Sequence, residues 1–226
     1  MRIIRIRATV GRVFFQRCFY LFVAVLALVM AALFLESSSR ARLVINAINL
    51  LVLIAAVAAV GRTALSFVIA VLLAVPAMLF QMFAINEADA GFLVRSWALG
   101  AVLYAVTVGY LLNYVFHRDV MTADKLYGAA AAYLMLGVLW SYLYAIANHF
   151  QPGSFAFGGA VASPTFGELI YFSFTVLTST GFGDAVPLHR YARGLCVLEQ
   201  LAGGLFIAIL IARLAGVYPP QRGNAG

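Results

Sequence analysis

The sequence predicts an all-α membrane protein with six transmembrane helices. Hydrophobic residues make up 65% of its 226 residues and charged residues only 10%, and the mean hydropathy is +1.00. A soluble domain of this length needs far more polar surface. The apolar residues are also gathered into uncharged stretches of about 20 residues, the length that an α-helix needs to cross the hydrocarbon core of a bilayer.

These stretches place the six helices along the chain. The first is longer than the core of a signal peptide and no convincing cleavage site closes it, so we expect it to be retained. The gaps are short except the last, which runs from about residue 149 to residue 191. The predicted helices lie at roughly 14–35, 43–60, 64–85, 92–116, 126–148 and 193–217.

The basic residues orient these helices. With the N-terminus inside, ten of the 15 Lys and Arg residues fall on the inner side and five on the outer side. Cytoplasmic segments of membrane proteins carry an excess of Lys and Arg, so we expect both termini to lie in the cytoplasm. The protein itself is expected in the cell (inner) membrane. The net charge of +7 is then explained by basic residues that orient the helices in the lipid membrane, and no nucleic-acid partner is expected.

The long gap before the last helix contains a short helix and a glycine-rich loop. Ser163-Pro164-Thr165 supplies an N-cap and a proline in the first turn, and Thr165 with Glu168 is expected to form a capping box. The apolar run that follows, FGELIYFSFTVLTS, is too short to cross a bilayer. Irregular backbone at membrane depth must be buried in protein or line water, so this gap predicts a re-entrant hairpin between helices 5 and 6.

The loop of this hairpin reads LTSTGFGDAVP over residues 177–187. Its stretch from Thr178 to Asp184 resembles the signature sequence of potassium channels, a hydroxyl residue followed by x-Gly-aromatic-Gly-Asp. A dehydrated K⁺ ion needs a column of oxygens in place of its water. Backbone carbonyls supply that column when right- and left-handed residues alternate, and Gly181 and Gly183 adopt the left-handed conformation without a Cβ penalty.

The resemblance implies a role for each residue of this selectivity filter. The carbonyls of Ser179, Thr180, Gly181 and Phe182 would bind K⁺, and the Ser179 hydroxyl would complete the innermost site. Asp184 would lie at the outer mouth, where a carboxylate raises the local cation concentration. The residues expected to bind or shape the ion path are Ser179, Thr180, Gly181, Phe182 and Gly183.

Other residues are expected to support the filter from behind. Phe182 would pack against Tyr171 and Phe172. Glu199 is the one acid deep in a predicted span, and its expected partner is Thr175, Ser179 or a neighbouring subunit; the alternative is a protonated or hydrogen-bonded packing residue. The supporting set is Tyr171, Phe172, Thr175, Thr178 and Glu199.

Two filter residues depart from the commonest family pattern. Ser179 replaces Thr and lacks the methyl group that helps to fix the rotamer, and Thr180 replaces Val and adds a polar atom behind the filter. Phe182 in place of Tyr is a variant that is familiar in the family, and it removes a phenol. The sequence therefore predicts a potassium-selective channel, with a weakly selective monovalent cation channel as the alternative.

The last predicted helix, GLCVLEQLAGGLFIAILIARLAG, resembles the inner helix of the same family. By this resemblance, Gly203 or Gly204 corresponds in position to the family's hinge glycine. Glycine inside a helix lowers the cost of bending there. The alternative is that these glycines let helices pack closely. Counted helically from the hinge, three residues face one side and are expected to line the cavity and form a hydrophobic gate: Ile207, Ile211 and Ala215.

The first four helices carry no charged voltage sensor. The fourth, FLVRSWALGAVLYAVTVGYLLNYVF, contains Arg95 alone, near its outer end. Each charge that crosses the membrane contributes only about 2.3 kcal/mol per 100 mV. We therefore expect no steep voltage dependence, and the sequence does not identify a gating stimulus, regulatory partner or ligand.

Together these observations predict a homotetramer, because one filter strand supplies a quarter of each oxygen cage. No cofactor is expected beyond K⁺ as the permeant ion. An enzyme or scaffold would need another centre, and the sequence offers neither a His-rich cluster nor an intramembrane acid pair. The expected parts are a basic cytoplasmic segment, a four-helix transmembrane domain, a pore domain and a short cytoplasmic tail: 1–12, 13–118, 119–217 and 218–226.

Overall fold

A computed structural model describes residues 17–35, 90–117, 120–161 and 163–217, with scattered positions between 44 and 83. This part of the chain is mostly helical. Four of its helices are long and apolar enough to span a membrane, judged by length and composition. They are α1 (Arg17–Phe34), α2 (Ala90–Phe116), α3 (Ala123–Phe150) and α5 (Arg190–Val217), and the shorter α4 (Phe166–Leu177) precedes α5.

These four long helices correspond to the first, fourth, fifth and sixth helices expected from the sequence. The boundaries differ by a few residues where caps act. The hydroxyl of Thr122 accepts the Lys125 amide at 3.3 Å, so α3 begins at Ala123 instead of residue 126. The second and third predicted helices lie largely outside the described residues, as do 1–12 and 218–226. The count of six helices therefore stays a prediction.

The predicted capping box at the start of α4 is confirmed. The Thr165 amide donates to the Glu168 carboxylate at 2.6 Å, and the Glu168 amide donates to the Thr165 hydroxyl at 3.3 Å. Thr165, not Ser163, is the N-cap, so Pro164 precedes the helix and the expectation that it occupies the first turn was wrong. Because Thr165 and Glu168 satisfy each other's backbone amides, the start of α4 is fixed at this point of the chain.

A small antiparallel sheet flanks α4, and the all-α prediction did not anticipate it. Its strands are β1 (Phe155–Phe157), β2 (Ala160–Val161) and β3 (Ala185–Pro187), in the order β2-β1-β3. Phe157 pairs with Ala185, and the Gly158 amide donates to the Asp184 carbonyl at 2.7 Å. The glycine loop, residues 178–184, is therefore held by α4 at one end and by β3 at the other.

Close helix contacts fix α4 between its neighbours. A Cβ atom at Gly167 would lie 2.6 Å from the Ala32 carbonyl of α1, and one at Gly137 of α3 would lie 2.7 Å from the Phe174 ring. The Ser173 hydroxyl also donates to the Gly137 carbonyl at 2.7 Å. Because small residues let backbones approach in this way, α4 packs directly against both α1 and α3.

Replacing Gly167 by alanine should separate α1 from α4. The new Cβ would contact backbone that cannot rotate away, so we expect Gly167→Ala to lower the unfolding free energy by about 1–3 kcal/mol. Thermal unfolding of the purified protein in detergent measures this. The matched control is Gly109→Ala in α2, where a Cβ meets nothing within 4 Å and alanine improves helix propensity. Equal midpoints for the two variants would contradict the packing argument.

Candidate functional site

The backbone of the glycine loop alternates between two conformations. Positive φ angles occur at Ser179 (58°), Gly181 (54°) and Gly183 (85°). Thr180 and Phe182, which lie between them, do not share this left-handed conformation. The sequence predicted it for the two glycines but not for Ser179, where an L side chain adds roughly 1–2 kcal/mol of strain. This alternation turns successive carbonyl groups toward one side of the loop.

The loop amides nearest α4 all point toward that helix. The Ser179 amide donates to the Val176 carbonyl at 2.9 Å, and the amides of Thr180 and Gly181 donate to the Thr175 carbonyl at 2.9 and 3.1 Å. Thr175 therefore supports the loop through its backbone. Within the described part of the chain, the carbonyls from Ser179 to Phe182 accept no hydrogen bond, which leaves their oxygens available to an ion.

Three consecutive hydroxyl groups of the loop have separate partners. The Thr178 hydroxyl donates to the Phe174 carbonyl at 2.6 Å and lies 2.7 Å from the Thr180 hydroxyl. Since Thr178 has used its single proton, Thr180 is the donor between the two. The extra polar atom of Thr180 is thus satisfied within the loop. The Ser179 hydroxyl accepts instead from Gln200 of α5, at 3.4 Å, a contact that the sequence analysis missed.

At the outer end of the loop, Tyr171 of α4 contacts two loop residues. Its hydroxyl donates to the Asp184 carboxylate at 2.8 Å, and its ring lies parallel to that of Phe182 with centroids 6.3 Å apart. This hydrogen bond raises the pKa of Tyr171, because deprotonation would break the bond and place a second negative charge beside Asp184. Tyr171 therefore fixes the carboxylate in place.

Phe172 does not join this aromatic stack, contrary to expectation. It is buried, and its ring contacts are with Tyr144 of α3 and with Phe155 and Phe157 of β1, at centroid distances of 5.1, 5.3 and 6.3 Å. Adjacent residues on a helix point about 100° apart, so α4 can direct only one of the two rings toward the loop. Phe172 supports the hairpin by anchoring α4 to α3 and the sheet.

Glu199 joins three helices. Its fully buried carboxylate accepts a hydrogen bond from the Tyr144 hydroxyl of α3 and shares the single hydroxyl proton of Ser173, in α4, with the Gly137 carbonyl. Neither Thr175 nor Ser179 bonds to it, so those expected partners were wrong. The Thr175 hydroxyl donates instead to the Phe172 carbonyl at 2.7 Å. The interpretation as a hydrogen-bonded packing residue describes these contacts: Glu199 holds α5 against the back of α4.

The two glycines of α5 have different surroundings. A Cβ atom at Gly203 would lie 2.3 Å from the Leu177 carbonyl at the end of α4, whereas one at Gly204 would meet nothing within 4 Å. Close packing is therefore the role that the structure gives Gly203, and Gly204 remains the candidate hinge. Further along α5, three residues are exposed in the single chain: Ile207, Ile211 and Ala215.

A comparison with protein families supports one class of function for this region. Residues 128–218 match the family model described as an ion channel. The match covers less than half of the chain, from α3 through α5, and includes the glycine loop. It supports an ion-channel function and, with four apolar helices, an integral membrane protein. Neither curated proteins nor solved structures give a match.

The Glu199 contacts yield a test of how α3, α4 and α5 are held together. Glu199→Leu leaves the buried Tyr144 hydroxyl without its carboxylate acceptor, so we expect a loss of about 1–3 kcal/mol in unfolding free energy. Thermal unfolding in detergent measures the loss. In a Tyr144→Phe background no tyrosine hydroxyl is left over, and Ser173 can still donate to the Gly137 carbonyl, so the same Glu199→Leu substitution should cost less. Strictly additive effects of the two substitutions would contradict the proposed network.

Proposed function

We propose that the protein is a potassium-selective channel whose pore is formed by four copies around one axis. One observation carries the proposal: the alternating backbone of the glycine loop, with amides bonded to α4 and carbonyls from Ser179 to Phe182 unbonded within the described residues. These residues are exposed in the single chain, where water can pair their carbonyls; enclosed in a pore, the carbonyls need another partner. A dehydrated cation supplies that partner.

The chemistry around this row of carbonyls suits a monovalent cation such as K⁺. Carbonyl oxygens replace the ion's hydration shell, and the Ser179 hydroxyl adds oxygens at the inner end. The C-terminal end of α4, which carries the negative end of the helix dipole, adjoins the loop. Asp184 places a fixed carboxylate at the other end. We therefore place α4 and the loop in a re-entrant hairpin that is open to water on both sides.

Exposed apolar surface supports the assembly of four copies. Phe182 is 70% exposed in the single chain although its side chain is a large apolar ring. Only 17% of an apolar 18-residue stretch of α5 is buried, against 33% or more of the corresponding stretch in each of the other candidate spanning helices. Neighbouring copies around the axis would cover these surfaces and complete each oxygen cage. In this tetramer Ile207, Ile211 and Ala215 line the inner cavity and form its hydrophobic gate.

The inner end of α5 contacts the end of α2. Arg213 donates through Nη2 to the His117 carbonyl at 2.8 Å. Arg213 lies one turn or less from the gate residues Ile211 and Ala215, so this contact joins the gate region to the helices that precede the pore. We place this end, with both termini, on the cytoplasmic side of the (inner) cell membrane, where basic residues predominate.

Ion flux into liposomes that contain the purified protein tests the proposed function. With a potassium gradient we expect flux that barium blocks, and with a sodium gradient we expect none. Equal flux with both ions would replace the proposal by a weakly selective cation channel, which Ser179 favours because it lacks the β-methyl group of threonine. Absence of flux with either ion, also after Ile211→Ala to widen the gate, would overturn both.

Two glycines with the same backbone conformation separate an effect on the filter from an effect on folding. Gly181 (φ 54°) and Gly158 (φ 59°) are both left-handed, and a Cβ at either meets nothing within 4 Å of its own chain. Gly181→Asp should abolish potassium flux, since four carboxylates crowd the ion path. Gly158→Asp carries the same backbone strain and should keep flux within about twofold, an effect of a few tenths of a kcal/mol. Equal flux from the two variants would count against the filter.

A further inference from the structure

We propose that Gln200 is a positioning residue for the innermost ion site, which it shapes by holding the Ser179 hydroxyl. This inference rests on the proposed function and deepens it, because it names a residue outside the glycine loop that sets the preference for K⁺. Gln200 lies on α5, 21 residues after Ser179, and no motif in the sequence connects the two.

The contact is specific to one hydroxyl of the loop. Gln200 Nε2 lies 3.4 Å from Ser179 Oγ, whereas the hydroxyls of Thr178 and Thr180 bond to each other. Among the described residues, the Gln200 amide is the side-chain partner of the Ser179 hydroxyl. The hydroxyl expected to face the ion is thus the one that a second helix holds.

The helix backbone at Gln200 is fixed by contacts on both sides along α5. The preceding residue, Glu199, bonds to Tyr144 and Ser173. One turn later, the Gly203 backbone lies against the Leu177 carbonyl, where a Cβ atom would come within 2.3 Å. These contacts prevent this turn of α5 from sliding along the end of α4. The reach of Gln200 to the loop is therefore set by the same packing that positions the pore hairpin.

The chemistry of the serine hydroxyl explains why such a partner matters. A hydroxyl oxygen has two lone pairs, so a bond accepted from the Gln200 amide leaves one lone pair for an ion. Threonine holds its hydroxyl with the β-methyl group, which restricts χ1, and serine lacks that restriction. The hydrogen bond from Gln200 restricts the Ser179 hydroxyl instead, and the neutral amide adds no net charge below the filter.

The test compares flux selectivity in a double-mutant cycle. Gln200→Glu keeps the size of the side chain but removes the donor, and Gln200→Leu removes polarity altogether. We expect each variant to lower the ratio of potassium to sodium flux in liposomes by about fivefold, the factor expected for one ordinary hydrogen bond. In a Ser179→Thr background the methyl group holds the hydroxyl, so the same substitutions should change the ratio by less than about twofold.

Leu201→Met is the matched control, since it changes an exposed neighbour on α5 without removing a polar group; we expect an unchanged ratio. An unchanged ratio in Gln200→Glu and Gln200→Leu, while the parent protein still prefers potassium, would overturn the role of Gln200 and leave the channel intact. An equal fall in the parent and in the Ser179→Thr background would also overturn it, because the effect would not pass through the serine hydroxyl. A parent protein without potassium preference would instead refute the proposed function.

Discussion

The hydrogen bonds from the glycine loop to the last turn of α4 are the constraint on which the rest of the site depends. The Thr175 carbonyl accepts the amides of Thr180 and Gly181, and the Val176 carbonyl accepts that of Ser179. These bonds use the amides on one side of the loop and leave its carbonyls on the other. Any shift of α4 would move the carbonyls as well, so α1 and α3 act on the loop through this short helix, while α5 also contacts the loop directly through Gln200.

That dependence explains why so many unusual contacts converge on α4. Gly167 lets α1 touch its first turn, Gly137 accommodates Phe174 at its middle, and Gly203 lets α5 reach its end. Glu199 adds a buried carboxylate that bonds to α3 and α4. Burying a carboxylate is unfavourable unless it is well hydrogen-bonded, and here one oxygen accepts from Tyr144 and the other contacts the Ser173 hydroxyl. The helices α1, α3 and α5 thus pack around a helix of 12 residues.

Local signals in the sequence were sufficient for the parts of the site that form from neighbouring residues. The capping box of α4 lies within four residues, and the left-handed glycines follow from the need for residues without a Cβ atom. Contacts between distant residues were not predictable in this way. The partners of Glu199, the bond from Gln200 to Ser179 and the pairing of Phe157 with Ala185 depend on how the helices pack, and strands of two or three residues leave no periodic pattern. The left-handed conformation of Ser179 was missed because amide bonds to the end of α4, not the residue type, hold the backbone there.

The sheet beside the loop limits how far the loop backbone can rearrange. Pairing of β1 with β3 joins the chain before α4 to the chain after the loop, and the Gly158 amide bonds to the last carbonyl of the loop. Fixing the backbone of each free residue costs about 1–2 kcal/mol in conformational entropy. Because folding has already ordered both ends of this loop, little of that entropy would be left to lose or regain if the loop binds and releases ions as proposed. Successive ions would therefore meet nearly the same backbone, and passage would need little rearrangement between one ion and the next.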